Sequence, residues 1–141
     1  MKRLLMLALV ILVLTASCGG KKEVKKVSAE SLAATEAFAL AEILREAYLK
    51  KDLNTIEKNS TNKGFREISM AIKSFDSAEL SFNPVWVEIE AGVVNMNVSW
   101  NGRWNKAGKI TEERGMAVFI MKEKPLRVDA ILRSNPFKHP D

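Results

Sequence analysis

The chain has 141 residues, with 22 Lys and Arg against 17 Asp and Glu, one histidine and one cysteine. A lone thiol excludes an internal disulfide and a cysteine-based metal site, and a single histidine, with no His, Asp and Glu cluster at ligand spacing, removes the usual zinc constellations. The net charge of +5 sits at the start of the chain: without Lys2, Arg3, Lys21, Lys22, Glu23, Lys25 and Lys26 there remain 16 basic and 16 acidic residues, so the body of the chain has no basic excess for nucleic acid.

Lys2 and Arg3 form a basic head, residues 4–14 are an unbroken apolar run, and Thr15-Ala16-Ser17 lead into Cys18. That order reads as an export signal, and the run falls short of the roughly 20 residues a membrane-spanning helix needs. A signal ending before a cysteine resembles the lipobox of bacterial lipoproteins; Thr15 stands where that family prefers Leu, and Leu14 lies one place further back. The resemblance implies a signal peptide over 1–17, cleavage before Cys18, a diacylglyceryl group on its thiol and an acyl chain such as palmitate on the new amino terminus. A plain secretory signal with an incidental thiol is the alternative. Residues 18–27 then form the lipidated cysteine and a Lys-rich tether, read either as a solvated spacer or as a lipid contact in which each lysine beside an anionic membrane surface adds about 1 kcal/mol. The expected location is the bacterial cell envelope, with the domain facing the periplasm or exterior. The outer membrane is favoured over the inner, because Gly19 stands where many inner-membrane lipoproteins of enteric bacteria carry Asp.

Residues 28–141 have the length of one domain. Ser28 is a candidate N-cap with Glu30 in the first turn, and Ala33, Ala37, Leu40, Leu44, Ala47 and Tyr48 form one apolar stripe at helical spacing as far as Lys51. Its small residues allow a close approach, so the helix is expected to lie across a sheet. Asp52 reads as the N-cap of a short second helix ending near Lys58. A polar break follows at residues 59–63. Phe65, Ile68, Ile72 and Phe75 then predict a third helix.

After Phe75 the period becomes alternating. Ala78, Leu80 and Phe82 predict a strand ended by Asn83-Pro84; Val85, Val87 and Ile89 predict a second one, against Trp86, Glu88 and Glu90. Val94, Met96, Val98 and Trp100 oppose Asn95, Asn97 and Ser99, so one face of this pair is wet. Asn101-Gly102 and residues 105–108 have turn chemistry, with Trp104 between them as a bulge. Residues 110–122 carry a solid apolar centre from Met116 to Met121, which predicts a strand covered on both faces. Glu123-Lys124-Pro125 turns the chain, and Leu126, Val128, Ala130 and Leu132 alternate with Arg127, Asp129, Ile131 and Arg133 up to Ser134-Asn135-Pro136.

Helices followed by an antiparallel meander make an α+β fold, N-terminal helices packed on a curved antiparallel sheet. The run Leu44-Arg45-Glu46-Ala47-Tyr48-Leu49-Lys50-Lys51-Asp52, the strand from Arg114-Gly115 to Met121, and Leu126-Arg127-Val128-Asp129-Ala130-Ile131 before Asn135-Pro136-Phe137 resemble the nuclear transport factor 2-like superfamily, whose curved sheet wraps a long helix into a cone. Weak matches of this kind also fit cystatin-like domains of other families. The superfamily includes isomerases, dehydratases, cyclases and hydrolases working in the cavity between helix and sheet, beside non-catalytic binding and dimerising domains, so the resemblance implies a place for a site and leaves its chemistry open.

The leading expectation is a non-catalytic binding domain on an envelope lipoprotein, without cofactor or metal, whose partner is a protein, a second copy of the chain or a small apolar or amphiphilic ligand. The alternative is an isomerase, dehydratase or hydrolase. The candidate residues are Tyr48 and Asp129, a phenol and a carboxylate that could face one cavity and move a proton, and the aromatic set Trp86, Trp100 and Trp104 with Arg114, which reads as core or as the wall of a pocket for an anionic amphiphile. Asp129, alternating with its strand's apolar set, is expected to face solvent. Tyr48 is expected at a rim, and His139, at the end of the chain, in solvent.

Overall fold

The computed structural model describes residues 27–140. The signal, Cys18 and all but the last residue of the tether lie outside the described residues.

Three helices precede the sheet: α1 (Ala29–Lys50), α2 (Leu53–Lys58) and α3 (Asn62–Ala71). Ser28 caps α1 by accepting from the Ser31 amide at 3.1 Å, a contact whose loss to alanine costs about 1 kcal/mol. Ala37, Leu40, Ala41, Leu44, Ala47 and Tyr48 are its buried face. Lys51 ends the helix in the left-handed region, φ 58°, where glycine is usual. Its ammonium accounts for lysine there: Nζ donates to the Phe75 carbonyl at 2.7 Å and stands 4.9 Å from the centre of the Phe75 ring, a cation–π contact. Asp52 caps α2 through the Thr55 amide at 3.1 Å.

The third helix differs from expectation at both ends. Thr61 caps it by accepting from the Gly64 amide at 3.1 Å, so it begins inside the expected polar break, and it ends at Ala71, leaving Phe75 on the link to the sheet. The capping threonine outweighs the local polarity.

The sheet has four antiparallel strands in the order β1-β2-β3-β4: β1 (Ser77–Glu90), β2 (Val93–Lys106), β3 (Lys109–Lys122) and β4 (Arg127–Arg133). Asn83-Pro84 does not end a strand. β1 runs through it with a register shift between Pro84 and Trp86, which an edge strand tolerates because the missing N–H is not needed there. Asn101-Gly102 is not a turn either; both residues pair within the sheet, as does Trp104, with no shift in register there.

The inner face carries Leu80 and Phe82, Val94, Met96, Val98, Trp100 and Trp104, and Ala117, Phe119 and Met121 against the helices. β3 is covered on that side alone. Val118 and Ile120 are half-buried and Met116 exposed on the outer side, so its continuous apolar run reports one core face and one outer apolar face.

Two devices fasten the layers. Arg45 on α1 donates to the Leu80 carbonyl of β1 at 3.1 Å while paired with Glu42 at 2.9 Å. At the other edge, Thr61 N donates to the Val128 carbonyl at 2.9 Å and Val128 N donates to the Asn59 carbonyl at 3.0 Å. A Cβ on Gly64 would collide with the Val128 carbonyl, so this glycine sets the closeness of α3 to β4.

Candidate functional site

The cone interior is built from four elements. Tyr48 comes from the last turn of α1, Trp100 and Trp104 from β2, Phe119 from β3, and Phe137 from a short 3-10 turn (Pro136–Lys138) that folds back inside. Ring centres of Tyr48 and Phe137 lie 4.9 Å apart, Tyr48 and Phe75 5.1 Å, Phe82 and Phe119 5.6 Å. These are the spacings of packed aromatic cores.

Tyr48 is not a rim residue. It is 1% exposed, and its hydroxyl donates to the His139 carbonyl at 2.7 Å while accepting from Trp104 Nε1 at 2.8 Å. Burial pushes its pKa up to about 12, against a smaller opposing effect of the Trp104 hydrogen bond. A phenol whose proton is already committed is poorly placed to donate it to a substrate.

His139 is not in solvent. Its ring lies 5.3 Å from both Trp100 and Trp104, and its Nδ1 is buried with no partner among the described residues. Trp100 Nε1 donates to the Ser134 carbonyl at 2.8 Å, so both inner indoles hold down the segment that closes the cone. A hollow of about 250 Å³ remains between α1, α2 and the α3–β1 link, lined by Leu53, Ile56, Ile72 and Phe75 with Tyr48 and Lys51.

Asp129 is 9% exposed, contrary to its expected solvent position. The register of β4 shifts here: Val128 opposes Met121 and Ala130 opposes Ile120, so Asp129 is the extra residue of a bulge, and bulges re-aim side chains. Its carboxylate accepts from Lys122 Nζ at 2.8 Å and from Thr61 Oγ1 at 3.0 Å, with Lys63 Nζ at 3.8 Å. The Lys122 hydrogen bond, chiefly, holds its pKa below the usual carboxylate value against desolvation. Tyr48 and Asp129 thus have separate partners and form no pair.

The aromatic set divides in the same way. Trp100 and Trp104 are core, at 2% and 0% exposed, whereas Trp86 is 50% exposed on the outer face of β1. Arg114 is also exposed, with no ion pair among the described residues. On this outer face Trp86, Asn97, Val118 and Leu132 stand in one row across the four strands. The β3–β4 half is apolar and the β2 half polar, Asn95, Asn97, Ser99, Asn101, Arg103 and Asn105 succeeding one another on alternate positions. The alternation at Asn95, Asn97 and Ser99 signals this polar face in the sequence, though Asn97 itself, expected to be wet, is only 3% exposed. Its continuation through Asn101 and Arg103 is concealed by the turn-like Asn-Gly pair, and nothing local announces that Phe137 and His139 fill the cone.

Among the described residues no group of His, Cys, Asp and Glu is placed to hold a metal ion, and no helix is long and apolar enough to cross a membrane.

No described protein family matches the sequence, and no curated protein resembles it significantly. Among solved structures, the chain is similar to a nuclear transport factor 2-like superfamily protein from Salmonella enterica serovar Typhimurium, with a TM-score of 0.67 and 13% identity over 77% of this chain and 94% of that one. At that identity the likeness concerns shape: residues 27–140 adopt the α+β cone of the nuclear transport factor 2-like fold.

Proposed function

We propose that this chain is an envelope lipoprotein, anchored through Cys18, whose domain is a non-catalytic binding module working through the outer face of its sheet. The observation that carries the reading is the filled cone: Phe137 at 0% exposure and a half-buried His139 packed against both inner indoles occupy the space where an enzyme of this shape would take its substrate. The enzyme alternative is weakened further because Tyr48 and Asp129 are each held by other protein groups. The outer face has what a binding surface needs, with Trp86, Met116 and Leu132 between 36% and 51% exposed on one sheet, an unusual cluster for a covered monomer face.

The anchor is tested by expressing the full chain and its Cys18→Ser variant in a bacterium. The wild-type product should lose residues 1–17, gain the mass of three acyl chains and partition into detergent; the variant should do none of these. A wild-type product that is cleaved but not acylated would leave only the secretory reading. The binding surface is tested with a photo-crosslinking amino acid at Leu132 on the sheet and at Ile43 on the solvent side of α1. A discrete adduct at 132 and none at 43 is expected. Equal labelling at both, or saturable uptake of palmitate into the cone, would overturn the surface reading.

A further inference from the structure

The polar half of the outer face contains a trough. On this face residues of alternate rows point outward, so the row Glu79, Arg103 and Glu112 and the row Ser81, Asn101 and Arg114 stand as two ridges across β1, β2 and β3. Between them lies the row Leu80, Gly102 and Glu113, in which the glycine has no side chain and the other two alternate to the opposite face, and these rows line a cavity of about 720 Å³. Arg103 pairs with Glu112 at 3.5 Å. Glu79, Ser81, Asn101 and Arg114 have no side-chain hydrogen bond or ion pair among the described residues.

The polar row of β2 continues the trough. Asn is disfavoured in strands, yet Asn95 and Asn101 stand accessible on a central strand with Asn97, only 3% exposed, between them, and none of the three amides bonds to another group among the described residues. Each such amide offers donors and an acceptor at once. Two rows beyond Asn101, at about 7 Å per row, the row of Asn97 brings in Trp86, whose ring is half exposed at the sheet edge.

This combination discriminates between ligand classes. An anion site presents donors and a cation site presents acceptors; here guanidinium, carboxylate, hydroxyl and amide groups alternate, and the two ridges carry two cationic side chains, Arg103 and Arg114, and two anionic ones, Glu79 and Glu112. Groups that donate and accept together, on a surface without a large net charge, match hydroxyls. An exposed indole matches the C–H face of a pyranose ring. We infer that the β1–β2 half of the outer face is a binding site for an uncharged oligosaccharide, running from the trough at Asn101 and Arg114 to Trp86.

The inference deepens the binding reading above and rests on it, naming the ligand of one half of that face. The experiment is calorimetric titration of the full chain with three neutral hexasaccharides, maltohexaose, cellohexaose and chitohexaose in its N-acetylated form. At least one should bind, and Trp86→Ala and Asn101→Ala should each weaken it at least tenfold, while Ile43→Ser, on the solvent side of α1, leaves it unchanged. Circular dichroism melting of each variant separates loss of the site from loss of the fold. No binding of any of the three at millimolar concentration, or binding indifferent to both trough variants, overturns the saccharide site. If the adduct at position 132 persists in that case, the binding module stands with a protein or a second copy as its occupant; if it too is absent, both readings fall.

Discussion

Trp104 Nε1 donates to the Tyr48 hydroxyl at 2.8 Å, joining the end of the long helix to the central strand by a buried side-chain hydrogen bond. The same hydroxyl donates to the His139 carbonyl, so three distant parts of the chain meet on one oxygen. The indole donor is buried, and the His139 carbonyl is part-buried. Tyr48→Phe therefore leaves an indole N–H and a carbonyl without partners, each costing on the order of 1–3 kcal/mol. A loss of about 3 kcal/mol in urea unfolding with an unchanged m value is expected; a loss under 1 kcal/mol would mean that water reaches the oxygen.

The same residue gives the domain an alkaline limit. Folding raises the Tyr48 pKa from 10 to about 12, so the folded state holds the proton more tightly than the unfolded chain does. The stabilisation is complete below pH 10 and is lost as pH rises from 10 to 12. The stability difference between the wild type and Tyr48→Phe should shrink across that interval, measured by urea titration at half-unit steps.

Asp129 acts at the opposite limit. Its pKa is lowered in the fold, first by the Lys122 hydrogen bond and also by Thr61 and Lys63, so its contribution is present above the ordinary carboxylate pKa near 4 and disappears as pH falls through the lower folded value. Asp129→Asn keeps an acceptor for Thr61 but loses the ion pair, and should cost about 1–2 kcal/mol at pH 7 and progressively less as falling pH protonates the folded carboxylate. Under the binding reading, the crosslink at position 132 survives the substitution. A variant equally destabilised at every pH would show that the bulge, rather than the charge, carries the effect.

The layout of these residues shows how far sequence reasoning reaches. The caps at Ser28 and Asp52 and the stripe from Ala37 to Tyr48 are local signals with local causes, and they hold. The strands of the meander were legible by alternation, but not their ends. Pro84 and Asn101-Gly102 read as breaks because their chemistry suits turns, while edge position in one case and sheet pairing in the other override it. Asp129 and His139 were misplaced for a related reason. A bulge changes which way a side chain points without changing the alternation that predicts it, and a folded-back segment is fixed by contacts with Tyr48, Trp100 and Trp104, between 35 and 91 positions away. The outer-face trough needs the register of three strands and has no signature in any one of them.

Gly64 illustrates a residue whose importance is invisible in its own surroundings. It sits in the first turn of α3, where alanine would improve helix propensity by about 1 kcal/mol. The added methyl would instead meet the Val128 carbonyl and the Asp129 backbone, and backbone cannot rotate away as a side chain can. Gly64→Ala should destabilise the domain by more than about 2 kcal/mol, lowering Tm by roughly 8 °C or more. A stabilised variant would mean that α3 and β4 separate easily.

Phe137 tests whether the filled cone is what keeps ligands out. It is fully buried against Tyr48, Phe82 and Phe119, so Phe137→Ala should cost about 3–5 kcal/mol. The vacated space is walled by aromatic rings, and apolar cavities of this kind stay dry and accept small aromatic molecules. The variant, monitored by thermal melting, should be stabilised by saturating benzene or indole, since a ligand that binds only the folded state raises its stability. The wild type should be indifferent to both. Stabilisation of the wild type by indole would mean either that the hollow beside Ile56 and Phe75 takes it or that the segment of Phe137 and His139 moves aside without mutation, which Ile56→Trp, filling the hollow, separates; indifference of both proteins would mean that neighbouring rings collapse into the gap.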